Sequence, residues 1–405
     1  MSQASPPPER DAEVQQGDRT VARIIQTITG VNVRITVLAI VTALAIGAIL
    51  IALSDEQARS ALGYVTSRPS DFLDASWTAI EEAYRALFRG AFASNRALSE
   101  SLTSAIPLVL AGLAVTIPLR AGMFNIGGEG QLIAGGLAAG LVGFTLTGLP
   151  MVVHLPLAVL AGLLVGALYG WVPGVLKART GAHEVITTIM LNNIAIFVAE
   201  YLLTTSQFQA PGRSDPVSRQ VADSARLPRL LPADDLRVHA GLIVMVIAAI
   251  AAWVLIERST TGMEIQAVGL NPHAATAAGM SVGRVTVLAL AVGGLMAGLG
   301  GTSQVLGLNY RLATGFSGGL GFDGITVALL GRGRVGGTVA AGLLFGALRA
   351  GGRTMQAQSG TSLDLVTVIQ ALIIVFIAAP ALIRALYRIR TESTGVVEVS
   401  SGWTS

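Results

Sequence analysis

Long apolar segments recur along the chain, and this feature most limits its fold. A helix rises 1.5 Å per residue, so about 20 apolar residues cross the hydrocarbon core of a bilayer. Backbone polar groups find no water there, so apolar segments of this length must be helical. The sequence therefore predicts an all-α, polytopic integral membrane protein with about ten transmembrane helices. The predicted spans lie near residues 35–53, 101–119, 123–147, 153–176, 185–204, 239–256, 285–304, 321–331, 336–350 and 364–383.

Two of these spans, residues 321–331 and 336–350, are short for a membrane crossing. They form one hairpin, two half-helices, or longer helices whose ends extend into polar sequence.

The composition supports a large lipid-facing surface and excludes several classes of function. Only 13% of the 405 residues are charged and 52% are hydrophobic, whereas soluble domains carry about 25% charged residues. The net charge is +3 and the arginines lie in several loops rather than in one stripe, so we predict no nucleic-acid partner. The chain contains no cysteine, which rules out thiolate ligands, and we predict no metal site and no cofactor.

Lys177 is the only lysine, since every other basic side chain apart from histidine is arginine. This preference is typical of GC-rich genomes and indicates a bacterial source. A phosphate-binding P-loop needs a Gly-Lys-Ser/Thr step, but Lys177 lies between Leu176 and Ala178. The chain is therefore predicted not to be an enzyme, because it cannot hydrolyse ATP by that route.

Basic residues between the spans predict the orientation, because positively charged short loops stay in the cytoplasm. The rule places both termini inside, with a disordered N-terminal tail over residues 1–30 and a C-terminal tail over 391–405. Residues 31–390 form the transmembrane domain between these tails. The basic residues that support this orientation are Arg10, Arg19, Arg23, Arg34, Arg120, Lys177, Arg179, Arg258, Arg284, Arg332, Arg334, Arg384, Arg388 and Arg390.

Two long segments are predicted to lie outside, near residues 54–100 and 205–238. The first includes an amphipathic stretch from Phe72 to Phe92. It carries five arginines and so departs from the charge rule, which long loops obey poorly. The second is long enough to contact an external partner, although a solvated linker explains it equally well.

Two glycine-rich motifs, at residues 120–131 and 317–325, place polar side chains next to apolar spans. Irregular backbone at membrane depth occurs only inside protein or along a cavity. Paired glycine-broken helices in two halves of a chain are typical of an inverted repeat around a transport path. The alternative is that the first motif caps a helix at the membrane surface. The candidate path residues in the two motifs are Asn125, Glu129, Gln131, Phe322 and Asp323.

A third polar group lies within an apolar span. Glu184, Thr188 and Asn192 recur every four residues, which places them on one face of a helix. This face either lines the path or forms hydrogen bonds with another helix.

The loop of residues 257–284 contains the signals of a short helix. Asn271 is a favourable N-cap, Pro272 suits the first helical position, and Gly279 suits a left-handed cap after about Ala278. A short helix with small side chains suits insertion into a groove on another protein. The alternative is an ordinary interfacial helix between two spans.

Taken together, four segments resemble the permease subunits of ATP-binding-cassette importers, in the group that includes branched-chain amino acid and simple sugar permeases. Their order and spacing match the family, and the similarity is greatest to the nucleoside and simple-sugar subgroup. It covers roughly residues 60–385 and departs at Gly333–Val335, where relatives often have a polar residue and proline. The segments are residues 112–136, 181–195, 267–282 and 321–337.

This resemblance implies a set of partners. A second permease, identical or related, would complete the pore, and two ATPase subunits would bind ATP. An extracytoplasmic binding protein would deliver the substrate. In the family, the pattern G-x-N-x-x-A-A-x-x-A-G marks the coupling helix, and the motif at 125–131 lies near the translocation path. The matching coupling residues here are Gly269, Asn271, Ala274, Ala275, Ala278 and Gly279.

The prediction that follows is nucleoside import across the bacterial cytoplasmic membrane by alternating access, with membrane lipid around the chain. A ribose-like sugar importer has the same scaffold and is the first alternative. An ion-coupled secondary transporter is the second, with Glu129, Glu184 and Asp323 as coupling carboxylates. A channel or a non-transporting scaffold is the third. Only the ATP-driven function needs a docking helix.

Overall fold

The computed structural model describes residues 31–231 and 235–388, so both predicted tails lie outside the described residues. The chain forms two compact units, one of residues 50–367 and a smaller one that joins residues 31–49 with residues from 368 onward. In the smaller unit, the Thr42 hydroxyl hydrogen-bonds to the Tyr387 hydroxyl at 2.9 Å.

The described residues are almost entirely helical, with only isolated β-bridges between loops. A 3₁₀ turn spans Asp223–Ala225, and a π-helical turn, Val305–Asn309, follows α11 directly. The helices are α1 (Val31–Ser54), α2 (Glu56–Leu62), α3 (Pro69–Phe92), α4 (Asn95–Arg120), α5 (Gly128–Thr145), α6 (Met151–Thr180), α7 (Glu184–Leu203), α8 (Gly241–Arg258), α9 (Thr260–Leu270), α10 (Pro272–Ala277), α11 (Val282–Gln304), α12 (Leu320–Leu330), α13 (Val335–Ser359), α14 (Leu363–Ala378) and α15 (Pro380–Leu386).

Each of the ten predicted spans coincides with a helix: α1, α4 to α8 and α11 to α14, with α15 completing the last span. Among the described residues, seven helices are long and apolar enough to cross a bilayer, and α12 and α14 are shorter apolar helices. The prediction of an all-α polytopic membrane protein is therefore confirmed.

The structure corrects the ends of three predicted spans. Helix α13 continues nine residues beyond position 350, because Arg349 and Arg353 form ion pairs with carboxylates on α12 and α4 and so tolerate this position. The last span is divided before Pro380, since proline cannot donate the hydrogen bond that a continuous helix requires. The third span starts at Gly128 rather than at position 123, for reasons given below.

Helices α6 and α11 pack against each other in antiparallel orientation, with almost no side chains between their backbones. Glycines occur at every fourth position of α6 from Gly162 to Gly174, and they face Gly294 and Gly298 of α11. A Cβ atom at Gly166 would lie 2.5 Å from the carbonyl oxygen of Gly294. Small residues permit this close approach in membranes, where packing rather than the hydrophobic effect holds helices together.

Helix α3 corresponds to the predicted amphipathic stretch. Its buried face packs Ala83 and Leu87 against Met355 of α13 and Val366 of α14. Its exposed face carries large apolar side chains, namely Leu73, Trp77, Phe88 and Phe92. This arrangement is typical of a helix at a membrane interface.

Candidate translocation site

The chain turns back on itself after α4, and this turn places the start of α5 inside the bundle. Gly122 adopts a left-handed conformation with φ +72°. The Asn125 side chain then donates to the carbonyl oxygen of Ala114 at 3.0 Å, six residues before the end of α4. At 1.5 Å per residue, α5 therefore begins about 9 Å deeper than α4 ends.

Asn125 and Gln131 form a closed amide pair at this point. The Asn125 amide nitrogen donates to Oε1 of Gln131 at 2.9 Å, and the Gln131 amide nitrogen donates to Oδ1 of Asn125 at 3.1 Å. Oδ1 also accepts from the backbone N–H of Gly127 at 3.1 Å. Both side chains are fully buried. Their polar atoms are satisfied by protein, so they hold the first turn of α5 against α4.

The predicted polar face of α7 continues this network. Oδ1 of Asn192 accepts from the backbone N–H of Gly130 at 2.8 Å, and its amide nitrogen donates to the carbonyl of Ile126 at 2.9 Å. Buried Thr188 donates to the carbonyl of Glu184 within α7. The Glu184 carboxylate accepts from Lys177 of α6 at 2.6 Å. The contacts of Glu184 and Asn192 are interhelical hydrogen bonds, and a direct role of this face in transport stays a prediction.

Glu129 joins the two glycine-rich motifs. Its Oε2 atom accepts from the backbone N–H of Gly321 at 2.7 Å, and the residue is only 3% exposed. Glu129 belongs to the first turn of α5 and Gly321 to the first turn of α12, so the carboxylate lies at two helix N-termini, where negative charge is favoured. A Cβ atom at Gly321 would lie 2.2 Å from the backbone nitrogen of Glu129, so only glycine fits there.

A cavity of about 290 Å³ lies beside this contact, between α7 and the loop that precedes α12. Of the predicted path residues, Glu129 and Phe322 line it. Asn125, Gln131 and Asn192 are buried in the hydrogen-bond network instead. The lining contains no basic side chain, and its members are Glu129, Ile133, Ile196, Ala199, Glu200, Ala313, Thr314, Gly315, Phe316, Ser317, Gly318, Gly319 and Phe322.

The sequence analysis missed Glu200, which lines the same cavity from α7. Its side chain is exposed and forms no hydrogen bond or ion pair with the described residues. Glu200 continues the four-residue spacing of Glu184, Thr188 and Asn192 after one apolar step. A carboxylate in an otherwise apolar span was the available signal.

Asp323 lies just outside this cavity, where it pairs with Arg349 of α13 at 3.2 Å. The side chain is 44% exposed, so this ion pair lies at the surface of the bundle. Asp323 therefore connects α12 to α13 in this structure, and its role in transport stays a prediction.

The predicted short helix after α9 is confirmed in detail. Oδ1 of Asn271 accepts from the backbone N–H groups of His273 and Ala274, each at 3.0 Å, and Pro272 opens the helix. Gly279 takes the left-handed conformation with φ +84°. Ala275 is buried against the rest of the protein. The other side of α10 is exposed, and it consists of Asn271, Pro272, His273, Ala274, Thr276, Ala277, Ala278 and Gly279.

Helix α9 connects this exposed surface to the end of α4. A Cβ atom at Gly269 would lie 2.2 Å from the carbonyl oxygen of Arg120, so the two backbones are in direct contact. Only residues 121–127 separate Arg120 from the start of α5. A movement of α10 therefore has a short, packed route to Glu129.

Comparison with known proteins gives several extended matches. The chain matches the family described as branched-chain amino acid transport system / permease component over residues 97–378. It is 39% identical over 307 residues to the guanosine ABC transporter permease protein NupP of Bacillus subtilis strain 168, covering 75% of this chain and 87% of that protein. No solved structure matches the chain.

Two further relatives have similar coverage. The glucose ABC transporter permease protein TsgB13 of Haloferax volcanii is 39% identical, over 73% of this chain and 80% of that protein. The nucleoside ABC transporter permease protein NupB of Lactococcus lactis subsp. cremoris is 35% identical, over 75% of this chain and 85% of that protein. Each of the three organisms also has a second permease that matches this chain at only 23–26% identity.

The family match extends from the first turn of α4 to the end of α14, so it includes the amide network, the Glu129 contact, the cavity and α10. These are the elements that the residues of the site require. The chain therefore belongs to the family of permease components of branched-chain amino acid transport systems.

Proposed function

We propose that this protein is the membrane-spanning subunit of an ATP-binding-cassette importer for nucleosides. The observation that carries the proposal is the 39% identity to a guanosine permease, which extends over three quarters of the chain. The 35% identity to a nucleoside permease supports the same substrate class. The chain contributes no ATPase chemistry in this proposal, and its partner subunits bind and hydrolyse ATP.

The chemistry of the cavity supports a neutral nucleoside. Glu129 and Glu200 can accept hydrogen bonds from ribose hydroxyls and from N–H groups of a base. Phe316 and Phe322 offer two rings, and stacking of a base on an aromatic ring stabilises binding by about 1–3 kcal/mol. No basic side chain lines the cavity, so a phosphate would be buried there without a counter-charge. This favours nucleosides over nucleotides.

The partners follow from the two ends of the bundle. We place α10 and both termini in the cytoplasm, because Arg120, Arg258 and Arg334 lie at that end. ATPase subunits then contact the exposed face of α10, and a substrate-binding protein contacts the opposite end. The presence of a second, less similar permease in each of three organisms supports pairing with a related permease rather than with an identical copy.

The mechanism that this geometry supports is alternating access transmitted from α10. ATP binding in the partners displaces α10 and α9, and Gly269 passes the movement to the end of α4 by direct backbone contact. The segment of residues 121–127 then shifts the first turn of α5. Glu129 moves with this turn against Gly321, which changes the width of the cavity at its lining.

Sugar import is the second candidate, and one observation favours it. A glucose permease matches this chain with the same identity as the guanosine permease. Hydroxyl groups of a sugar would also bind the two carboxylates of the cavity. The separating feature is the pair of phenyl rings, which suits a planar base.

Uptake of radiolabelled guanosine tests the proposal, in cells that express the whole gene cluster with either an active or an inactive ATPase subunit. We expect uptake to require both this chain and the active ATPase. Unlabelled adenosine or uridine should compete, whereas ribose and glucose should not. Competition by glucose alone would assign the sugar function. Uptake that survives ATPase inactivation and collapses with the proton or sodium gradient would assign a secondary transporter.

A further inference from the structure

A second cavity, of about 690 Å³, lies where α4 and α8 end and α13 begins. It is separate from the site described above and shares no lining residue with it. Three arginines line it, each from a different helix end, and one carboxylate accompanies them. The charged lining residues are Arg120, Glu257, Arg258 and Arg334.

The positive charge in this cavity is only partly balanced. Arg120 pairs with Glu257 at 3.3 Å, and the Nε atom of Arg120 is buried without a hydrogen-bond partner. Arg258 and Arg334 form no ion pair with any described residue. The guanidinium carbon of Arg258 lies 5.1 Å from the centre of the Trp253 ring instead. Two guanidinium groups therefore remain available for an anion.

We propose that this cavity binds the phosphate headgroup of an anionic phospholipid. Guanidinium groups donate pairs of parallel N–H groups that match phosphate oxygens. Gly336 and Gly337 form part of the wall and leave room for the headgroup. A Cβ atom at Gly336 would meet no other atom within 4 Å. The proposal depends on the membrane location of the chain and not on its substrate.

The surroundings of the cavity favour a lipid over a soluble phosphate. Trp253 lines the cavity and is 43% exposed, and tryptophan is enriched at the level of lipid headgroups. From Trp253, an exposed apolar stripe follows α8 away from the cavity at helical spacing. An acyl chain can lie along this stripe while the phosphate contacts the arginines. Its residues are Ile250, Ile247, Val246 and Ile243.

Native mass spectrometry of the full-length permease in mild detergent tests this proposal. The probes are phosphatidylglycerol, phosphatidylcholine and inorganic phosphate, each added separately. We expect one phosphatidylglycerol to remain bound per chain and phosphatidylcholine to be lost. Equal retention of both lipids would overturn the assignment of a phosphate site for anionic lipid. Displacement of phosphatidylglycerol by inorganic phosphate alone would show a soluble anion site and would also overturn the lipid assignment.

The decisive variant combines Arg258→Gln with Arg334→Gln. Each arginine near an anionic lipid contributes a factor of about five in affinity, so retention should fall roughly thirtyfold. The matched control is Arg89→Gln with Arg96→Gln, which removes two arginines from a different cavity, lined by α3, α4 and α13. The control should retain lipid like the wild type. Wild-type retention by the first pair would overturn the proposal.

A folding control keeps this test informative. Both variants should elute as the wild type does on size exclusion and keep its helical circular dichroism. If the double variant does not fold, the single change Arg334→Gln replaces it, because Arg334 is exposed and forms no ion pair with described residues. Its expected loss of retention is about fivefold, and no loss would again overturn the proposal.

Discussion

The carboxylate of Glu129 has two neighbourhoods. One oxygen accepts from the N–H of Gly321 at 2.7 Å, and the side chain also lines the cavity beside α7. Burying a charge is costly unless dipoles or partners stabilise it, and here the first turns of α5 and α12 both supply free N–H groups. The residue therefore couples the position of two helices to the chemistry of the proposed substrate site.

Two substitutions separate these roles of Glu129. Glu129→Gln keeps an oxygen that can accept from Gly321 but removes the charge, so we expect folding to persist while guanosine uptake falls about tenfold or more. Glu129→Ala leaves the Gly321 N–H without its acceptor and should destabilise the protein by about 1–3 kcal/mol. Uptake and thermal unfolding in detergent measure both effects. Wild-type uptake by the Gln variant would show that the charge is not needed.

His239, two residues before α8, makes stability depend on pH. Burial, together with the nearby positive charge of Arg237, lowers the pKa of His239 from 6.5 to about 4. The unfolded chain therefore binds the proton at higher pH than the folded chain does. The neutral buried ring contributes its full stability above pH 6.5, and this contribution is lost as the pH falls towards 4. The total loss is about 3 kcal/mol.

Thermal unfolding of the purified protein between about pH 7 and pH 4 measures this effect. His239→Asn is the control, because an amide oxygen can replace Nδ1 as the acceptor for the N–H of Gly241 but does not titrate. The variant should show a flatter pH dependence over this interval. An unchanged slope would assign the pH dependence to other groups.

At the scale of elements, the glycines decide how closely the helices approach. Helices α5 and α12 meet through backbone at Gly128 and Gly321, where a Cβ atom on Gly128 would lie 3.3 Å from the Gly321 carbonyl. Helices α6 and α11 meet in the same way. Contacts of this kind are sensitive to single methyl groups, because neither backbone can move aside without disturbing its own helix.

The substitution Gly321→Ala tests the α5–α12 contact. Its Cβ would lie 2.2–2.5 Å from backbone atoms of Gly128 and Glu129, so the helices must separate, and we expect a loss of about 1–3 kcal/mol of stability. Gly336→Ala is the matched control in the first turn of α13, because its Cβ meets nothing within 4 Å. The control should be neutral or stabilising by up to about 1 kcal/mol. Thermal unfolding that ranks the two variants equally would contradict the proposed backbone contact.

Helix α10 has two sides with different expected roles. Ala275 anchors it to the protein, whereas Ala274 and Ala278 are exposed. A glutamate at both exposed positions, Ala274→Glu with Ala278→Glu, should abolish nucleoside uptake while the permease still reaches the membrane, because bulk and charge prevent docking on the ATPase. Serine at the same positions keeps small side chains and should preserve uptake. Uptake by the double glutamate variant would exclude the docking role.

At the scale of the whole molecule, the proposed orientation places α10 and residues 205–238 on opposite sides of the membrane. The chain contains no cysteine, so single cysteines can be introduced without removing native ones. Ser214→Cys and Ala277→Cys both lie at exposed positions. A membrane-impermeant maleimide should label position 214 in intact cells and position 277 only in inverted vesicles. Labelling of both from the same side would refute the topology.

Several features of this protein were determined by the sequence alone, because they depend on neighbouring residues. The length of each apolar segment sets where a helix can cross a bilayer. Asn271, Pro272 and Gly279 define α10 through hydrogen bonds and backbone angles within one or two turns. Four ordered motifs were enough to place the chain in its permease family, since each motif is continuous in sequence.

Only the tertiary structure decided which polar groups meet and which face a cavity. Glu129 and Gly321 are 192 residues apart, and their contact requires α5 to start deep in the bundle and α12 to be short. The amides of Asn125 and Gln131 turned towards each other rather than towards the cavity, while Glu200 turned towards it. The orientation of a polar side chain in a membrane helix depends on the neighbours that can satisfy it, and helix packing, not sequence spacing, supplies those neighbours.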